Sequence, residues 1–126
     1  MIIEVFLDKT RYSFPRSRRV GSPEDFTTVF KEGFRFKQGC LIMYIKPNGL
    51  LCPRLGLAVS KKAIPKAAER NKVKRLIRES FRLYQNQLAN IDIVVVVTRH
   101  YFEAQPSFWS DLGRQWSKLV VYYKEH

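Results

Sequence analysis

Three features of the 126-residue sequence predict an α+β sandwich with helices packed on one sheet. A 3.6-residue apolar stripe runs from Ala67 to Leu88, a β-branched run extends from Ile91 to Thr98, and helix signals stand near both ends of the chain. The predicted order is helix, strands, helix, strand, helix. This length fits one domain, since a second core would be starved of residues.

Taken in order, Arg11 to Arg19 mixes basic and aromatic residues without helical or strand periodicity, so the first twenty residues read as an extended arm. Ser22-Pro23-Glu24-Asp25 then opens a helix: Ser22 is placed to cap it, Pro23 suits its first position, and the acids sit at the positive end of its dipole. Phe26, Val29 and Phe30 share one face, and Gly33 stops the helix, giving residues 23–32. From Cys40, Leu41 to Lys46 and Arg54 to Ser60 read as an antiparallel hairpin about Pro47-Asn48-Gly49. In the second strand Leu55, Leu57 and Val59 alternate with Gly56, Ala58 and Ser60. One face is therefore bulky, and the other has room for something to lie on it.

The helix predicted over 67–88 carries Val73, Leu76, Ile77, Ser80, Phe81, Tyr84 and Leu88 on one side. The run after Ile91 suits a strand buried on both faces and hence central in the sheet. A last amphipathic helix follows Pro106-Ser107, with Trp109, Leu112, Trp116, Leu119, Val120 and Tyr123 as its apolar side.

The 23 Lys and Arg against 11 Asp and Glu give a net charge of +12, which calls for a polyanionic partner. Lys61 to Arg82 carries nine cations against Glu69 and Glu79, more than half of the excess. Lys66, Arg70, Lys74, Arg78 and Arg82 recur every four residues, a spacing that overshoots a turn by about 40° and predicts a slowly wrapping cationic ridge. Such a ridge suits either a solvated helix face or a phosphate backbone; about six neutralised phosphates predict a log-log salt slope of about −4 to −5. Asn71 suits a local cap or a forked hydrogen-bonding contact. Phe26, Phe30 and Tyr44 suit either a core or a stacking platform for unpaired bases.

Two cysteines, Cys40 and Cys52, and two histidines, His100 and His126, supply no zinc-ligand spacing, and no phosphate-cradling glycine motif or nucleophile–histidine pairing occurs. The opening stretch carries Glu4 and Asp8 where a signal peptide needs an unbroken apolar region, and the longest apolar run, Ile93 to Val97, is far below membrane-helix length. The expectation is a cytoplasmic protein with reduced, packing thiols and no membrane partner.

Arg70-Asn71-Lys72-Val73-Lys74-Arg75-Leu76-Ile77-Arg78-Glu79-Ser80-Phe81-Arg82 closely resembles the signature helix of the protein component of bacterial ribonuclease P. Phe14-Pro15-Arg16, Asp25-Phe26 through Gly33, Arg54 through Lys62, and Ile91 through Val95 resemble that family's flanking motifs in the same order. The resemblance covers roughly residues 14 to 120, and the domain is assigned to 14–126, with 1–13 as an N-terminal extension without a family counterpart. It implies an α-β-β-β-α-β-α sandwich with a central sheet and a left-handed βαβ crossover. It also implies partnership with a catalytic RNA whose bound magnesium hydrolyses the 5′ leader from precursor tRNA.

By the same resemblance Phe26, Phe30 and Tyr44 correspond to a leader-binding cleft. Arg70, Asn71, Lys74, Arg75 and Arg78 correspond to RNA-contacting signature residues, Lys61 and Lys62 to loop lysines, and Lys66 and Arg82 extend the cationic set. No side chain is assigned a catalytic or metal-binding role. Pro65-Lys66 stands where many members have Gly-Lys or Gly-Asn, which predicts a stiffer loop. A basic ribosome-associated or RNA-chaperone binding protein is the alternative that charge and fold class allow; a self-sufficient nuclease is disfavoured by the missing metal ligands.

Overall fold

The computed structural model describes residues 2–5, 23–50, 52–88 and 90–125. The elements run β1 (Ile2–Val5), α1 (Pro23–Glu32), β2 (Phe34–Gln38), β3 (Leu41–Pro47), β4 (Arg54–Val59), α2 (Ala67–Tyr84), β5 (Ile91–Val97), α3 (Tyr101–Ala104), a 3-10 turn (Gln105–Ser107) and α4 (Phe108–Glu125). One mixed sheet holds all five strands in the order β1-β4-β5-β3-β2. The α+β sandwich is as expected. β5 is the middle strand, as its run of Ile and Val requires.

The expected hairpin between 41–46 and 54–60 is corrected. β3 and β4 do not pair; β5 lies between them, antiparallel to β3 and parallel to β4. A strand buried on both faces needs two hydrogen-bonded neighbours, and the non-local run wins over the adjacent turn signal. The connection after β3 instead bridges the start of β5: Asn48 N donates to Asn90 O, while its Nδ2 donates to Cys52 O and Asp92 Oδ1. The real hairpin joins β2 to β3 through Gly39 and Cys40, with Gly39 at φ +56°, where a Cβ would meet the Asp111 carboxylate at 2.8 Å. Because β4 and β5 are parallel neighbours, α2 forms the βαβ crossover between them.

The extended arm is also revised at its start. Ile2–Val5 pairs antiparallel with β4, Ile3 opposite Ala58, so this part of the extension is an edge strand of the sheet. The arm at 11–19, Phe14-Pro15-Arg16 and the Ser22 cap lie outside the described residues.

The two sheet faces are covered unequally. Leu55, Leu57, Val59, Met43, Ile45, Ile93 and Val95 meet α2 and α4, the helices contributing Val73, Ile77, Phe81, Leu112 and Trp116, all buried. Trp116 Nε1 donates to Ser80 Oγ at 2.7 Å, which explains a serine on the predicted stripe. Two details shift. α2 ends at Tyr84, and Leu88 reaches the core from the turn that follows. At the start of α4 the buried aromatic is Phe108, with Trp109 exposed, because 108, 112, 116 and 119 keep the helical spacing. Among the described residues, the opposite face carries only α1.

Candidate nucleic-acid interface

Alternation in β4 puts Gly56, Ala58 and Ser60 on the α1 side, and small residues there let a helix with large rings settle close. Phe26 (4% exposed) and Val29 (1%) pack on Ala58 and Val94. Phe30 is only partly buried. Its ring lies 6.5 Å from that of Phe26 and meets Tyr44 edge-on at 4.9 Å and 77°. Gly33 lets the helix turn at once into β2: a Cβ would come within 2.5 Å of Val29 O and 2.8 Å of Ile45 O.

Past the helix the face continues. Tyr44 pairs with Val94 across the sheet and Ile42 with Val96, and Val96 is partly exposed. On the outer strand Arg35 stands opposite Tyr44 and Lys37 opposite Ile42, both exposed. These two rim cations were not singled out from sequence; the β2–β3 register reveals them, whereas the charge count favoured the dense run at 61–82. At the other end Ser60, Lys62, Ala63, Val96, Val97, Thr98 and Arg99 line a shallow depression of about 400 Å³. Ser60 Oγ accepts from Ala63 N at 3.0 Å and so shapes the lysine loop. Arg99 was likewise missed, although it lies two residues past the end of β5. Val96 belongs to both cleft and depression. The result is a groove with rings at one end, an apolar floor, and cations along its rim and far end.

The ridge expected on α2 is corrected. Arg70 is 7% exposed and Lys74 5%. At about 100° per residue, Arg70 falls roughly 40° and Lys74 roughly 80° from the centre of the Val73, Ile77 and Tyr84 stripe, so of the four-residue series within the helix only Arg78 and Arg82 turn outward. Arg70 Nη1 donates to Ile64 O and Pro65 O, both at 2.8 Å, which ties the stiff loop to the helix. Arg78 Nε donates to Lys74 O at 3.3 Å, and Arg82 is paired with Glu79, whose carboxyl is held below its ordinary range mainly by that hydrogen bond. Lys61, Lys62, Lys66, Asn71, Lys72 and Arg75 are exposed. Asn71 caps nothing at the helix start, where Lys66 is the extended N-cap residue.

α2 and α1 lie on opposite sheet faces, so the signature cations and the ring cleft are separate surfaces joined by the loop at 60–66. Glu69 is occupied from the inner side: Tyr101 Oη donates to its Oε1 at 2.9 Å, and burial, helped by that bond, pushes Tyr101 up to about 12. Asp92 is occupied too, bound by Arg54 through Nε at 2.6 Å and Nη2 at 2.5 Å. Cys40 is buried, and burial pushes its thiol up to about 11, so it stays protonated near neutrality. Among the described residues no three His, Cys, Asp or Glu side chains come together to hold a metal ion, and no helix is long and apolar enough to cross a membrane.

A family model described as Ribonuclease P matches residues 14–123. The chain is 53% identical to the ribonuclease P protein component of Methylococcus capsulatus over 85 residues, 68% of this chain and 66% of that protein. It is 41% identical to that of Vibrio cholerae over 109 residues, 86% of this chain and 92% of that protein. Among solved structures, the RNase P protein of Staphylococcus aureus superposes with a TM-score of 0.73 at 27% identity, covering 82% of this chain and 97% of that one. The Thermotoga maritima RNase P protein, in complex with 1-(4-fluorophenyl)-2-thiourea, gives 0.71 at 32% identity, with 81% and 97% covered.

Proposed function

Since the chain belongs to the ribonuclease P protein family, we propose that its ring-and-cation groove receives the single-stranded 5′ leader of precursor tRNA while its signature helix meets a catalytic RNA. The chain acts as the protein subunit of that endoribonuclease in tRNA processing, not as a ribosome-associated or chaperone protein. The observation that carries the leader reading is the edge-on pair of Phe30 and Tyr44 at a groove mouth rimmed by Arg35 and Lys37. Partly exposed rings accept any base by stacking, and flanking cations follow the phosphates without reading sequence.

Hydrolysis in this reading belongs to the RNA and its magnesium. Magnesium favours hard oxygen ligands such as phosphates and water, which an RNA supplies in number, and Asp92 is already engaged by Arg54 and Asn48. The protein's share is to bind, orient and lower repulsion between two RNAs. Lys61, Lys62, Lys66, Lys72 and Arg75 supply exposed positive charge near that junction, and Asn71 adds a forked donor and acceptor. The compartment that goes with this role is the cytoplasm.

Reconstitution tests it. With the cognate RNA at physiological magnesium, adding the chain is expected to speed cleavage of precursor tRNA, and Tyr44→Ala to weaken binding of leader-bearing substrate by about 1–3 kcal/mol while sparing mature tRNA. Undiminished cleavage without the protein, or equal losses on both substrates, refutes the reading.

A further inference from the structure

One exposed aromatic cluster stands away from the groove. Phe34 and Phe36 are on the face of β2 opposite Arg35 and Lys37, and both meet Tyr122 of α4, with centroids 6.2 Å and 6.0 Å apart. Phe36 packs against the main core, whereas Phe34 is 55% exposed, and Val121, next to Tyr122 in α4, is exposed as well. A ring left in water beside a packed one contributes little to the core, and clustered exposed apolar surface marks an interaction site. Along the same side of α4, Lys118 lies one turn before Tyr122, and its Nζ donates to Gln38 Oε1 at 3.2 Å, a neutral acceptor that leaves its charge uncompensated.

The geometry points to a second RNA contact here: an unpaired base stacked on Phe34 and Tyr122, with its phosphates drawn to Lys118 on one side and to Arg35 and Lys37 across the strand edge. This goes beyond the leader cleft, from which it is separated by the sheet, and rests only on the chain being an RNA-binding subunit. Charge selects this occupant. A second copy of the chain adding β2 to β2 in antiparallel register would set Arg35 and Lys37 of the two copies close together on one face, and like charges opposed across strands are unfavourable. An RNA strand meets the same cations as partners, and the tilted rings need no particular base.

A photo-crosslinking amino acid at position 34, and separately at position 30, in the RNA-bound complex with precursor tRNA decides it. Crosslinks from position 34 to unpaired nucleotides are expected. The double variant F34S/K118Q is expected to bind RNA about tenfold more weakly, with the thermal midpoint and the preference for leader-bearing over mature tRNA unchanged. Crosslinking only to another polypeptide, no crosslink at all, or undiminished RNA affinity in the double variant overturns the proposal. Position 30 reports the leader cleft independently, so failure there leaves the result at position 34 readable.

Discussion

Nη1 of Arg70 donates to the carbonyl oxygen of Ile64 at 2.8 Å, so a signature cation is turned back on the loop that precedes its own helix. The same nitrogen reaches Pro65 O. Arg70→Ala leaves two carbonyls without this donor and is expected to cost about 2–3 kcal/mol in a denaturant titration. Arg75 is exposed on the outward face. Arg75→Ala should therefore leave stability within about 0.5 kcal/mol and flatten the log-log salt slope of RNA binding by about 0.7 to 0.9. Full stability in Arg70→Ala with lost RNA affinity would show that the arginine serves RNA and not the loop.

The two phenylalanines of α1 divide in the same way. Phe26 is sealed against Ala58 and Val94, and Phe26→Ala is expected to destabilise the fold by about 3–5 kcal/mol. Phe30, only partly buried beside Tyr44, should on truncation to Ala lose leader affinity first and stability second. Comparing thermal midpoints with the ratio of precursor to mature tRNA affinity separates these roles. A Phe26→Ala protein of normal midpoint that has lost only leader discrimination contradicts the packing.

Helix α1 was legible to its ends because Pro23 and Gly33 are local signals that act on backbone geometry at their own positions. β5 was legible because continuous β-branched residues leave no polar face. The pairing of β3 and β4 was not: sequence displays a turn between neighbours but not the strand, some forty residues later, that displaces one from the other. β2 was not read from its own residues, because Phe34 to Gln38 alternates only on an edge, and only the family resemblance implied a third strand before α2. The site followed the same logic. Tyr44 and Phe30 came from residue type and spacing, Arg35 and Lys37 from register alone. The four-residue spacing of α2 identified the right helix but rotated Arg70 and Lys74 into the protein.

Arg54 and Asp92 form a two-point pair across parallel β4 and β5, with Asn48 adding a third donor to the carboxylate. Both groups are largely withdrawn from water. Removing one partner strands the other, so Asp92→Ala is expected to cost about 3–5 kcal/mol, whereas Arg54→Met with Asp92→Leu should cost clearly less. Denaturant midpoints of the two variants measure this. Equal losses would mean that the pair matters for its attraction and not for the burial of an uncompensated charge.

Alkaline stability follows from Cys40. Its thiol is pushed from the ordinary 9.0 up to about 11, first by burial, with the Asp111 carboxylate adding to it. Between these values the unfolded chain has released a proton that the folded chain keeps, so stability is whole below pH 9 and declines as pH rises towards about 11. Tyr101, raised from 10.0 to about 12, opens a second decline above pH 10. Cys40→Ala is therefore expected to lower the baseline slightly, by loss of one buried sulfur, yet to flatten the fall between pH 9 and 10, where Tyr101 does not yet contribute. Guanidinium midpoints at pH 8, 9 and 10 suffice. An unchanged slope in the variant would assign the alkaline loss to groups other than this thiol.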